Sequence, residues 1–158
     1  VNLVKSFAEQ LKVDFYSKEI NLGSGGNIQE RAREARYNIF NSLMIEIGAN
    51  FIATAHHRND KAETILMRIL TGTKVSGLNV LQERFNHVLR PMVMAYKSDV
   101  MLHIERKNIP YMDDPSNKYV DKYFRSKVRY ELMPELQKIN PNVVDALCNL
   151  SDDAVRLI

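Results

Sequence analysis

Phe51-Ile52-Ala53-Thr54-Ala55-His56-His57-Arg58-Asn59-Asp60-Lys61-Ala62-Glu63-Thr64 is the stretch on which the fold turns. Its first five residues are a short apolar run without polar alternation, which predicts a buried parallel strand over 51–55. His56 to Asp60 then turns the chain into a helix over about 60–70, broken by Thr71-Gly72-Thr73. A strand feeding directly into a helix is the repeating step of an α/β sheet. Open sheets of that kind bind ligands beyond the carboxyl ends of their strands, where His56 and His57 stand.

The same alternation continues outward. Leu3, Val4, Phe7, Ala8 and Leu11 recur at helical spacing, and Val13, Phe15 and Tyr16 predict a short strand. The stretch 21–27, with Gly23, Gly25 and Gly26, is a loop. Ile28, Ala32, Ala35, Ile39, Leu43 and Ile47 mark one face of a long helix over 28–47, closed by Gly48. Val88 to Met92 reads as extended, and Ser98 is positioned to cap a helix through Lys107. Residues 108–117 form a loop. Helices are predicted over 122–139 and 141–158, the second capped by Asn140 with Pro141 at its first position. The class is an α/β parallel sheet followed by a helical tail, without internal repeats.

At 158 residues, with 45% apolar and 26% charged residues, the chain can build one ordinary core. The single cysteine, Cys148, excludes an internal disulfide framework and a cysteine-rich zinc site, and fits a reducing, cytoplasmic setting. No apolar run is long enough to span a bilayer, so no membrane partner is expected. The net charge of +3 is only mildly basic, and the placement of the basic residues matters more than their number.

Asp60, Glu63 and Thr64 share one helix face at the positive end of that helix. They suit phosphate oxygens, or a magnesium ion held through Asp60. They also suit plain capping, with Asp60 as cap and Glu63 reaching back. Adjacent histidines are a poor zinc site. Arg31, Arg33 and Arg36 read as a solvated helix face paired with Glu30 and Glu34. Lys118, Lys122, Arg125 and Arg129 follow helical steps beside a predicted buried stripe of Phe124, Val128, Leu132 and Leu136. With Tyr119, Tyr123 and Tyr130 alongside, that basic face suits a nucleic-acid backbone and stacked bases, or simply solvent.

Several blocks, taken in order, resemble the tRNA(Ile)-lysidine synthetase family of N-type ATP pyrophosphatases. They are Ala32-Arg33-Glu34-Ala35-Arg36-Tyr37, the 53–64 block, Thr71-Gly72-Thr73 with Gly77-Leu78, Arg90-Pro91, Asp114-Pro115-Ser116-Asn117, and Arg125 to Arg129 followed by Met133-Pro134. The likeness covers about residues 27–142. Departures are Asn59 where many members have Asp, Thr71 for Arg, Lys74 for Gly, and Ser126-Lys127 within the Arg-Asn-x-x-Arg motif. The family's pyrophosphate-binding loop is expected before Val1. Ser24-Gly25-Gly26 imitates that loop, but Asn27-Ile28-Gln29 follows where Asp-Ser belongs, so it reads as an ordinary flexible loop.

The resemblance implies a Rossmann-like parallel sheet of the adenine nucleotide alpha hydrolase type, incomplete here, with a C-terminal helical extension. Residues 1–117 would be the later part of the pyrophosphatase domain and 118–158 the extension. It implies ATP and magnesium (Mg2+), the anticodon region of tRNA(Ile), and L-lysine, with a homodimer as a further expectation. The implied reaction adenylates the wobble cytidine and then joins lysine to it. The implied catalytic residues are Arg36, His56, Asp60 and Arg129, with Asp60 also at the metal. Implied substrate-binding residues are Glu63, Thr64, Gly72, Arg90, Asp114, Asn117 and Arg125. The chain on its own is expected to be inactive. A non-catalytic nucleic-acid-binding module and a related tRNA-thiolating enzyme are the alternatives, the latter disfavoured by a lone cysteine.

Overall fold

The computed structural model describes residues 1–23, 28–112 and 123–157, which fall into two compact units, Val1–Ile52 and Ala53–Ile158. The expected boundary between 117 and 118 lies outside the described residues. The first unit holds α1 (Asn2–Leu11) and α2 (Ile28–Glu46). α1 closes on Lys12 in the left-handed conformation, φ 56°, and the Val13 N–H donates back to the Ala8 carbonyl at 3.0 Å. That satisfies a last-turn carbonyl in the usual way. Past α2, Gly48 takes φ 67°, the turn for which a glycine suits best. The strand expected at Val13–Tyr16 does not form, and Val13 and Tyr16 are exposed. An extended segment without a neighbour leaves its N–H and C=O groups unpaired, so β-propensity alone cannot make it a strand.

The 51–55 run yields only β1 (Ile52–Ala53). Its expected burial is not observed, because Phe51 is 45% exposed and Ala53 and Ala55 are exposed. β1 stands at the end of the strand order β1-β3-β2, and a strand is buried along its length only where other elements cover both faces of its sheet. β2 (Arg84–Phe85) and β3 (Val88–Leu89) pair antiparallel, Arg84 opposite Leu89, through a turn with Asn86 at φ 52°. The sheet is therefore not parallel throughout. The Thr54 N–H donates to the Leu89 carbonyl at 2.9 Å, tying the end of β1 to β3.

α3 (Arg58–Leu70) follows β1, then a 3-10 turn (Val75–Leu78) and α4 (Lys97–Arg106). Ser98 does not cap α4. The helix begins after Tyr96, whose N–H donates to the Asp99 carboxylate at 3.2 Å. The last arm comprises α5 (Phe124–Lys127), a π turn (Val128–Leu132), α6 (Met133–Ile139) and α7 (Val143–Arg156). The cap position of α7 is Asn142, not Asn140, and the Asn142 side chain makes no capping bond. The π turn accounts for a departure from the expected stripe. By holding an extra residue it shifts the following face, so Met133 is buried and Leu132 and Leu136 pack partly buried against the same cluster, while Phe124, which precedes the turn, is 44% exposed.

The core of the second unit lies between α3 and α7. Ala62, Leu66, Val128, Met133, Val144 and Cys148 form one buried cluster, and Ile65, Leu78 and Ala154 a second. On α7 the buried residues Val144, Cys148, Ser151 and Ala154 recur at helical spacing and are small or compact, which lets α3 approach closely. Ser151 Oγ donates to the Leu78 carbonyl at 2.7 Å, so its buried hydroxyl is satisfied. No helix among the described residues is long and apolar enough to cross a membrane.

Candidate functional site

The candidate site is built on the first turn of α3. His57 is the cap: its Nδ1 accepts the Asp60 N–H at 3.2 Å, and Asp60 Oδ2 accepts the His57 N–H at 3.1 Å. This reciprocal pair satisfies two donors at the helix start. It also corrects the capping expectation, since Asp60 is the residue that reaches back and Glu63 does not. Thr64 Oγ1 donates to the Asp60 carbonyl at 2.7 Å, within the helix.

The remaining carboxylate oxygens face the arm after residue 122. Arg129 donates from Nε to Glu63 Oε1 at 2.8 Å, and from one terminal nitrogen to Asp60 Oδ1 at 2.6 Å and Glu63 Oε2 at 2.8 Å. Arg125 approaches the same acids less closely, at 3.2 Å to Asp60 Oδ1 and 3.4 Å to Glu63 Oε2. Glu63 is only 4% exposed and Asp60 8%. Such charges are tolerable at that depth only because each has opposite charge and hydrogen bonds around it. Burial works against the Arg129 charge, but the hydrogen bonds to Glu63 and the charges of Glu63 and Asp60 outweigh it and raise its pKa above the usual arginine value. The basic stripe thus turns Arg125 and Arg129 inward upon carboxylates.

His56 stands past the end of β1 with Nδ1 2.9 Å from Thr54 Oγ1. Gly72 is exposed at φ 76°. Arg90 is buried and donates to the Gln82 carbonyl at 2.8 Å, while its Nε has no hydrogen-bond partner. Arg36 belongs to the first unit, on the exposed side of α2. Asp114, Asn117, Lys118, Tyr119, Lys122 and the Ser24 to Asn27 loop lie outside the described residues. Magnesium fits this arrangement poorly. Asp60 Oδ1 already accepts from two guanidiniums and Oδ2 from a backbone N–H, and no group of three metal-binding side chains occurs among the described residues.

Two acids that the sequence reading passed over, Asp145 and Asp152 on α7, support α3 through ion pairs. Arg58 pairs with Asp145 at 2.6 Å and Lys61 with Asp152 at 2.6 Å. A signal was present: Asp145 and Asp152 flank Cys148 at helical spacing, which puts both acids beside the buried stripe of α7.

Desolvation lowers the His57 pKa below its usual 6.5. Asp60 and Glu63 oppose that shift, and Arg129 and Lys97 add to it. The unfolded chain therefore takes up this proton at a higher pH than the folded one. His57 stabilises the fold fully above about pH 6.5 and less as pH falls through its folded value. His57→Asn, which keeps a capping acceptor, should lose less stability than wild type between pH 7.5 and 5. Denaturant melts across that range check it, and parallel curves would refute it.

A family profile described as a PP-loop domain matches residues 1–136. The tRNA(Ile)-lysidine synthase of Thermotoga maritima is 35% identical over 127 residues, covering 80% of this chain and 30% of that protein. The protein of the same name from Pseudothermotoga lettingae is 35% identical over 143 residues, 90% of this chain and 31% of its own length. That of Petrotoga mobilis is 31% identical over 153 residues, 94% and 49%. The chain thus spans about 30% of the first curated relatives it matches. In fold it is similar to the U34-tRNA thiolase NcsA of Methanococcus maripaludis, solved with its 4Fe-4S cluster. There the TM-score is 0.71 at 21% identity, covering 99% of this chain and 55% of that one.

Proposed function

From the premise that the chain belongs to the PP-loop family, we propose that it is part of an ATP-dependent tRNA(Ile)-lysidine synthetase. ATP, taken as its magnesium complex, is a substrate. The C2 carbonyl oxygen of the wobble cytidine attacks the α-phosphorus and pyrophosphate leaves. The ε-amine of free lysine then attacks C2, AMP departs, and the ammonium proton is lost to solvent.

The observation that carries this reading is the meeting of two blocks 66 residues apart, Glu63 with Arg129, at the positive end of α3. Two acids hold two guanidiniums in fixed orientation beside a strand end. Preorganised cations of that kind stabilise the charge that develops in phosphoryl-type transfer. Arg129 is assigned to that role, with Arg125 at a phosphate of ATP or tRNA. Asp60 and Glu63 orient both, and Thr64 fixes the turn that presents Asp60. His56 and Arg36 are assigned to charge near the α-phosphate, and Gly72, Arg90, Asp114 and Asn117 to substrate binding.

The test uses the full-length natural protein with ATP, magnesium, labelled lysine and unmodified tRNA(Ile). Lysine incorporation at the wobble position, with one pyrophosphate released per lysine, is expected. ATP cleavage without lysine incorporation would overturn the assignment. Tight tRNA binding with no nucleotide turnover would support a binding module instead.

A further inference from the structure

We infer that Asp145, on α7, is a positioning residue for the first turn of α3, acting through Arg58 and Tyr96 without touching substrate. Arg58 is the first residue of α3, directly after the cap His57, and its side chain is 11% exposed. Its Nε donates to Asp145 Oδ1 at 2.6 Å. The other oxygen of Asp145 accepts the Tyr96 hydroxyl, and the Arg58 guanidinium lies 5.7 Å from the centre of the Tyr96 ring. One carboxylate therefore fixes both a cation and the aromatic face that the cation rests on.

The backbone at this turn is held from the same two sides. The Arg58 N–H donates to the Ala95 carbonyl at 2.8 Å, and Asn59 Oδ1 accepts the Lys97 N–H at 2.9 Å. On the other side, Cys148 Sγ donates to the Arg58 carbonyl at 3.7 Å. The start of α3 is thus clamped between the start of α4 and α7. Asp145 is the one side chain in this set that reaches both the helix it positions and Tyr96. A buried guanidinium that loses its carboxylate must move towards water or pull its backbone out of place. Here that backbone carries His56, His57 and Asp60. α7 lies beyond the part of the chain matched by the PP-loop profile, which ends at residue 136, so this support comes from outside the matched region.

Lys61 with Asp152 gives an internal comparison. It is an equally short ion pair between the same two helices, but its lysine lies past the capping turn. In the full-length protein, Asp145→Asn should lower kcat for lysine incorporation at least tenfold, with KM for ATP and tRNA within about twofold of wild type. It should also speed hydrogen exchange at the Asp60 and Lys61 amides. Asp152→Asn should leave kcat unchanged while lowering Tm. Tyr96→Phe, which deletes one hydroxyl and retains the ring, should lower kcat about threefold and serves if Asp145→Asn does not fold. The kinetic arm rests on the proposed reaction, whereas the exchange arm does not, so a wild type without lysidine activity leaves the clamp open to test by exchange. Equal effects of Asp145→Asn and Asp152→Asn on kcat and exchange, or none from either, would overturn the inference, as would Tyr96→Phe behaving as wild type.

Discussion

Glu63→Ala is expected to lower the unfolding free energy by about 3–5 kcal/mol, the usual range for breaking one side of a buried ion pair, and to reduce lysine incorporation at least about a hundredfold. Glu63 is almost wholly buried and accepts two of the three close Arg129 bonds together with a weaker one from Arg125. Deleting it leaves two partly exposed guanidiniums sharing one buried carboxylate. Glu63→Gln, which retains an acceptor oxygen but no charge, should fall between wild type and alanine. The double replacement Glu63→Leu with Arg129→Met removes charge from both sides, so it should recover part of the lost stability and none of the activity. Urea melts and lysine incorporation on the three variants check this. A Glu63→Ala protein that melts within about 1 kcal/mol of wild type, on the order of one ordinary hydrogen bond, would show that the Glu63–Arg129 pair does not hold the fold together.

The helical half of this molecule was legible because helix signals are local. Spacing placed α2 and its Gly48 ending almost to the residue, and the Asp60, Glu63 and Thr64 face was correctly put on one helix at a strand end. Three features were not legible, each for a physical reason. The burial of Phe51–Ala55 depends on what covers a strand, and sequence shows only that the residues are apolar. His57 outcompeted Asp60 as cap because an imidazole can accept from the N–H three residues on, a choice that needs the loop geometry. The π turn at Val128–Leu132 has no signature in the apolar pattern, yet it buries Met133 in the core and leaves Leu132 packed at its edge. For the site itself, the sequence pointed to Arg125 and Arg129 as a matched pair of basic residues. It could not show that they face Asp60 and Glu63, because that pairing joins two segments far apart in the chain.

Arg129→Ala in the full-length protein is expected to reduce turnover about a hundredfold or more while tRNA affinity changes little, the pattern of a group that acts mainly in the transition state. Geometry separates it from Arg125. Arg129 makes three bonds of 2.8 Å or shorter to the acids, whereas Arg125 makes two of 3.2 Å or longer. A tightly held cation costs no reorganisation when charge develops beside it, which suits catalysis. A loosely held one can be shared with a phosphate that arrives from outside. Arg125→Ala should therefore flatten the salt dependence of tRNA binding by about one unit of log–log slope, with a smaller loss of turnover. Lys138→Ala is the control, because its exposed pair with Glu135 on the same arm contributes little. Steady-state kinetics and tRNA binding at two salt concentrations distinguish these outcomes. If Arg129→Ala and Lys138→Ala both stay within about twofold of wild type, as exposed surface charges do, Arg129 has no part in the chemistry and the acids hold it only to keep α3 folded.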